Sequence, residues 1–508
     1  MQGRKQFTDQ LVTQFRLSER VPPHNLYRRL NELLNWSFLY EATHDLYSHT
    51  GQPSLDPVVF FKLLLVGHLE NITSTRRLLE HCALRLDILL FLGYELDEEL
   101  PWHSTLSRTR QLYPAALFEQ LFDQVFHLCV AQGLVKGDTQ VVDSAPVKAN
   151  ASLDSLCEKQ PIKAPPARMR VVDQPALTSP SPPSLTLAAT PAYQLRRVAT
   201  RHARWQAAPH HFLGARHAKA RLISNKTHYS PTDPEARISI KPGKARALNY
   251  VCNLAVDTAQ GVISHVQADF ADSRDSVHLP VLVHQLHQRL RANGLYWHEV
   301  LADTGYSNGA NYALLEQQGI TPWIPVFSRY KPSLDGFTYQ AETDSFWCPA
   351  GKELPFKDYD KNRDGGLLKL YRASARDCRV CPQKASCIPN TERRQIVRTA
   401  YDPQYHRALR RQQSQQGQRM RLLRQSTVEP VFGSLLHHYG LRRVSARGRA
   451  NAHKTMLLAA VSYNLKKLLK YHPAQTLARV VALPKPPPPP RHLPFRLRIR
   501  GLQTGKLS

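Results

Sequence analysis

The sequence predicts an α/β protein: a helical N-terminal domain, then a mixed sheet flanked by helices, with segments inserted into it. Three observations carry that expectation. Apolar residues recur at three- and four-residue spacing up to about residue 135. From residue 137 that period gives way to β-branched runs such as "DTQVVDSA". Strand-like and helix-like segments then alternate to about residue 326.

Residues 1–135 contain two strongly periodic helices, "DPVVFFKLLLVGHL" and "PAALFEQLFDQVFHLCVAQGL". In the second, Leu117, Leu121, Phe122, Val125 and Leu128 share one face. Between them, "ITSTRRLLEHC" and "HSTLSRTRQLY" open on Ser and Thr residues suited to N-capping. Arg76, Arg77, Arg108 and Arg110 on these helices suit a DNA-binding domain, and equally a bundle with solvated arginines.

Residues 136–326 form the first part of the sheet domain. "VVDSAPVKANAS" reads as a strand that runs into Asp143 and ends there in a Ser-Ala-Pro turn. "ALNYVCNLAVDTAQGVISHVQADF" reads as two strands about the turn "DTAQG", and "SVHLPVLVHQLHQRLRANG" as a helix stopped by glycine. "YWHEVLADTGYSN" is a strand, "NGANYALLEQQG" a helix and "TPWIPV" a short strand. A Pro-, Ala-, Arg- and His-rich insertion at about 155–220 reads as disordered. Residues 327–400 form a second insertion with a cysteine cluster, 401–470 a basic helical part, and 471–508 a basic proline-rich tail.

Charge narrows the partner. With 68 Lys and Arg against 40 Asp and Glu, the net charge of +28 attracts polyanions, of which nucleic acid is the commonest soluble one. No apolar run nears the ~18 residues of a membrane span, and the N-terminus lacks the apolar core of a secretion signal. The expectation is a cytoplasmic protein with no membrane partner. Eight cysteines are too few for a disulfide scaffold. Cys348, Cys378, Cys381 and Cys387 cluster around a CxxC knuckle, an arrangement similar to a zinc ribbon, so a structural Zn²⁺ is one reading and unbridged thiols the other.

Asp303 repeats the pattern of Asp143: "HEVLADTGYS" drives apolar residues into a carboxylate followed by a small-residue turn. Glu429 is one of two acids against eleven Lys and Arg between Tyr401 and Lys454. Each acid alone has an ordinary explanation, a turn or a salt bridge. Together, three carboxylates suit hard divalent ions ~3.5–4 Å apart that activate an attacking oxygen at a phosphodiester.

Five blocks in order carry a resemblance that covers nearly all of residues 20–470. They are "GQPSLDPVVFFKLLLVGHLENITSTRRLLEHC" with "ELPWHSTLSRTR"; "VVDSAPVKANAS"; "TDPEARISIKPGKARALNYVCNLAVD"; "LADTGYSNGANYALLEQQGITPWIP"; and "VEPVFGSLLHHYGLRRVSARGRANAHKTMLLAAVSYNLKKL". The chain resembles DDE-type insertion-sequence transposases with a helical N-terminal domain fused to an RNase-H-like catalytic domain.

The resemblance implies an RNase-H-like mixed sheet flanked by helices, with Asp143, Asp303 and Glu429 as catalytic, metal-holding acids. It also implies Mg²⁺ or Mn²⁺, cutting and joining of double-stranded DNA at terminal repeats and target, and a homo-oligomer on DNA. Lys148, Arg424, His437, Arg442, Arg443 and Arg447 are the candidate DNA-contacting residues, each also readable as a solvated basic surface. Many relatives carry a lysine two turns after the glutamate; here Leu436 stands there. Tyr306 and Trp323 suit base stacking, though such aromatics are more often core. Asp257 and Asp269 read as turn and surface residues. Two alternatives are a transposase-derived DNA-binding protein without activity and an RNase-H-like nuclease.

Overall fold

The computed structural model describes residues 16–47, 54–159, 223–239, 246–327, 330–361 and 366–471. Most of the proline-rich insertion and nearly all of the basic tail lie outside the described residues. No helix among those described is long and apolar enough to cross a membrane.

The N-terminal region is helical as its periodicity predicts: α1 (Leu17–Arg20), α2 (Leu26–Leu33), α3 (Phe38–Thr43), α4 (Pro57–Leu69), α5 (Thr75–Ala83), α6 (Leu86–Leu92), α7 (His103–Leu112) and α8 (Ala115–Ala131). Asp56 starts α4 by accepting from Val58 and Val59 N–H, with Pro57 at the first helical position. Because α4 is apolar around its whole circumference, it is the central helix, packed among α3, α5 and α6. Even Lys62 on it is buried, its ammonium donating to Phe91 O at 2.6 Å.

The main sheet comprises β1 (Thr139–Lys148), β4 (Arg237–Ser239), β5 (Ala247–Asp257), β6 (Ile263–Phe270), β7 (Glu299–Leu301) and β8 (Thr321–Trp323). Two short strands, β2 (Cys157–Glu158) and β3 (His228–Tyr229), pair separately. β5 runs antiparallel to both of its neighbours, β1 and β6, while β7 and β8 continue from β1 in parallel. The order β6–β5–β1–β7–β8, with β4 beside the start of β5, is that of an RNase-H-like sheet. Helix α9 (Asp275–Ala292) connects β6 to β7, and α10 (Gly309–Gln317) connects β7 to β8.

β1 differs from its sequence reading: it passes through Asp143 and runs five residues further, to Lys148. The physical reason is one-sided pairing. β7 pairs with β1 only up to Val141, so beyond that point β1 is an edge on one side and Pro146 forfeits no bond there. On its other side it pairs with β5 throughout, Pro146 opposite Val251.

Strands β9 (Thr338–Gln340), β10 (Ser345–Trp347), β11 (Glu353–Lys361), β12 (Leu367–Arg372) and β13 (Gln395–Thr399) form a second, antiparallel sheet. It has its own small core of Phe346, Leu354, Tyr371, Ala373 and Ile396. Short helices α11 (Ala375–Arg379) and α12 (Lys384–Cys387) carry Cys378 and Cys387, with Cys381 between them. The chain closes with α13 (Asp402–Gln413), α14 (Gln415–His438) and α15 (Arg449–Lys470). α15 is buried along most of its length, and Asn464 on it bonds both N–H and C=O of Ile263 at the head of β6.

Candidate active site

β1 and β7 run parallel with Val141 opposite Leu301, and the two aspartates sit two residues beyond that pair, on adjacent chains. Asp303 Oδ1 accepts from Gly305 N–H at 2.8 Å, which starts a tight turn and holds the carboxylate at the strand end. Asp143 is met from α14. Arg424 donates to its Oδ2 at 2.8 Å and stands 4.0 Å from Glu429 Oε1, one turn along the same helix. Arg424 also lines a cleft of about 460 Å³ with Asp303, Trp323, Arg411, Arg421 and Gln425. One guanidinium therefore pairs with two of the three sequence-predicted acids, and its residue shares a cleft with the third.

Two local features set α14 in place. Ser414 caps it by accepting from Gly417 N–H, and a Cβ on Gly417 would lie 2.1 Å from Arg411 O, so only glycine permits so close a turn from α13. Pro430, directly after Glu429, removes the N–H that would bond the carbonyl one turn back.

A fourth carboxylate, absent from the sequence reading, joins the group. Asp275 begins α9, and its Oδ1 accepts from Ser144 Oγ at 2.7 Å, next to Asp143 in β1. A Cβ on Gly305 would lie 2.9 Å from both Asp275 Oδ2 and Asp303 Oδ1, so these two carboxylates converge on that glycine. The available signal was its position, an acid in the first turn of the helix that follows β6.

Tyr306 is fully buried and donates to Asn253 Oδ1 at 3.3 Å; Asn253 in turn donates to Asp269 Oδ2 at 2.7 Å. Burial raises the phenol well above its ordinary pKa, and the charges of Asp275, Asp143 and Asp303 raise it further. It is a neutral hydrogen-bonding support, not a stacking platform. Trp323 is half-buried, lines the cleft and donates to Glu299 Oε1. Asp257 and Asp269 are buried acceptors: Asp257 bonds Gly137 N–H and Gln140 Nε2, correcting the surface reading while keeping a turn role through Ala259 N–H.

The basic candidates form one neighbourhood. Lys148 N–H donates to Arg442 O, and Val444 N–H donates to Lys148 O, so the segment after α14 adds to the end of β1. Arg443 reaches Asn150 Oδ1, Arg442 bonds the exposed His437 ring at 2.9 Å, and Arg447 is exposed. Leu436 is half-buried.

Asp143, Asp303 and Glu429 offer hard carboxylate oxygens, the donor type that Mg²⁺ or Mn²⁺ takes. Among the described residues no three His, Cys, Asp or Glu side chains stand together as an ion cage. Arg424 supplies the counter-charge between Asp143 and Glu429. Elsewhere, Cys348, Cys378, Cys381 and Cys387 are free thiols that line one small cavity, where Lys352 N–H donates to Cys348 Sγ at 3.4 Å. They converge without assembling a zinc cage.

Comparison with known proteins adds independent support. The family model described as "Transposase domain (DUF772)" matches residues 15–112, and "Transposase DDE domain" matches residues 347–469. The second stretch contains Glu429, while Asp143 and Asp303 lie between the two. No curated protein matches the chain. Among solved structures, the cryo-EM structure of a piggyBac transposase synaptic complex with hairpin DNA is similar over 92% of this chain and 87% of that one, at 11% identity and TM-score 0.25. Two transposase models, one of them a DDE domain, thus match the helical region and the segment that carries Glu429, and in these regions the chain is similar to the DDE transposases.

Proposed function

We propose that this protein cuts and joins double-stranded DNA at the ends of an insertion sequence, using Asp143, Asp303 and Glu429 as its catalytic acids. The observation that carries this reading is the meeting of Asp143 and Glu429 on the Arg424 guanidinium, with Asp303 in the cleft that the same guanidinium lines.

The three acids would hold Mg²⁺ or Mn²⁺, which when bound supplies Lewis-acid activation of the attacking oxygen and charge stabilisation at phosphorus. The chain's own residues do the rest. Arg411, Arg421 and Arg424 give the cleft a cationic wall for the scissile phosphate. The neutral Tyr306 hydroxyl, tied to Asn253, fixes the floor beneath the carboxylates without adding charge. Attack on phosphorus is in line, first by water at the element end and then by the freed 3′-hydroxyl on target DNA, with no covalent protein–DNA intermediate. Lys148, Arg442, Arg443 and Arg447 contact backbone phosphates beside the site. Joining two ends calls for more than one copy, so the active form is a homo-oligomer on DNA.

The test is cleavage of end-labelled DNA from both flanks of the coding sequence, with Mg²⁺, by wild type and Asp143→Asn. Cuts at the repeat ends and joined products, both lost in the variant, support the reading. Cuts without joining indicate a nuclease, and binding without cuts indicates a DNA-binding derivative.

A further inference from the structure

Away from the acids, a cavity opens where the N-terminal helices meet the segment that follows α14. It is lined by His68 of α4, Thr73 and Thr75 at the start of α5, Arg110 of α7, Arg443, and Lys454 of α15. No lining residue is acidic. Lys454 is only 5% exposed, and its ammonium donates to the Arg110 carbonyl at 2.9 Å. The Arg110 guanidinium has no carboxylate partner among the described residues. Burial lowers the pKa of Lys454 and Arg110 alike, and the charge of Arg110 lowers Lys454 and His68 further. Two withdrawn cations that repel each other, with no counter-ion among the described residues, form a costly arrangement unless an anion completes it.

The backbone points the same way. α5 is nine residues long, and its N-cap Ser74 makes no side-chain cap bond, which leaves the first-turn N–H groups of α5 uncapped. Thr73, Thr75 and Ser445 add hydroxyl donors around the cavity. We propose that this cavity binds a phosphate group, supplied either by a nucleic-acid backbone or as free phosphate. Three cationic side chains and hydroxyls, with Thr75 at the uncapped start of α5 in the same wall, are the donor set that a tetrahedral oxyanion takes.

The cavity is also wired to the acids. Gly440 N–H donates to Asn71 Oδ1, Asn71 Nδ2 donates to His437 O, and the His68 ring bonds Tyr439 O at 2.8 Å, so the α4–α5 turn holds the end of the helix that carries Glu429. Beyond Gly440 the same segment pairs with Lys148, at the end of the strand that carries Asp143. A phosphate held here registers the bound strand against both elements.

Thermal unfolding of the full chain in inorganic phosphate, against chloride at equal ionic strength, tests the proposal. Phosphate should raise the Tm of wild type by roughly 2 °C or more, and Lys454→Met and the exposed Arg443→Gln should each lose part or all of that rise. Asp143→Asn should keep it, which separates failure of this site from failure of the catalytic reading. The second arm assigns the source. If the phosphate group belongs to DNA, both charge variants bind duplex more weakly, each with a salt dependence flatter by about one counter-ion; if duplex affinity is unchanged, the site takes free phosphate. No phosphate-specific shift in wild type, or an equal shift in wild type and both charge variants, overturns the proposal.

Discussion

The Arg424 guanidinium donates to Asp143 Oδ2 at 2.8 Å and lies 4.0 Å from Glu429 Oε1, so a residue of α14 supplies the positive charge that lets a β1 carboxylate and an α14 carboxylate approach. Asp143 and Arg424 are both largely buried, whereas the Glu429 side chain is 63% exposed. The strong member of the triad is therefore the Asp143–Arg424 contact. Removing the guanidinium deletes this charge-assisted bond to Asp143. Arg424→Gln is expected to lose about 1–3 kcal/mol of stability in EDTA, judged from charge-assisted hydrogen bonds. Mn²⁺ should restore more of the Tm in this variant than it adds to wild type. Denaturation with and without Mn²⁺ checks both; an unchanged Tm in EDTA refutes the role.

Tyr306→Phe keeps the ring and deletes the hydroxyl that donates to Asn253 Oδ1. The buried amide oxygen then lacks that donor, at a cost of about 1–2 kcal/mol. Urea unfolding should show it, and cleavage should fall by less than in any single-acid variant.

Gly417→Ala places a methyl 2.1 Å from Arg411 O, a backbone atom that cannot swing aside. The start of α14 must shift, and with it the cleft wall that Met420, Arg421 and Arg424 share. The expected loss is on the order of 1–3 kcal/mol, together with weaker DNA cleavage. Gly433→Ala in the same helix meets nothing within 4 Å and should leave both unchanged.

Burial and the neighbouring Arg289 push the His265 pKa down to about 3. Its folded pKa lies below the unfolded value of ~6.5, so the neutral ring is the native form. The stability it contributes is complete above pH ~6.5 and is lost as pH falls from there towards 3. Tm should drop on acidification across that window, and His265→Asn, which keeps an acceptor for Arg289 but does not titrate, should drop less steeply. Equal slopes would remove His265 from the account.

The helical region was legible because its faces repeat at helical spacing, and the β5–β6 hairpin because two apolar runs flank "DTAQG". β1 was half legible. Its approach to Asp143 showed in the valines, but its continuation through Pro146 depends on where β7 stops pairing. The three acids stood out by local pattern or by isolation in a basic field. Asp275 did not, because an acid in a helix's first turn has an ordinary explanation until Ser144 and Gly305 are seen beside it. The cationic cavity was invisible for a different reason. His68, Arg110 and Lys454 meet only in three dimensions, and Arg110 read as equally suited to a solvated surface.

The central claim is that Asp143, Asp303 and Glu429 hold one divalent centre. Mn²⁺ binding to the DNA-bound protein, followed by paramagnetic relaxation for wild type, Asp143→Asn, Asp303→Asn and Glu429→Gln, tests it most directly. Wild type should bind Mn²⁺, and each variant should bind it at least tenfold more weakly, roughly 1.4 kcal/mol or more per lost ligand. Wild-type affinity retained in all three variants would contradict it.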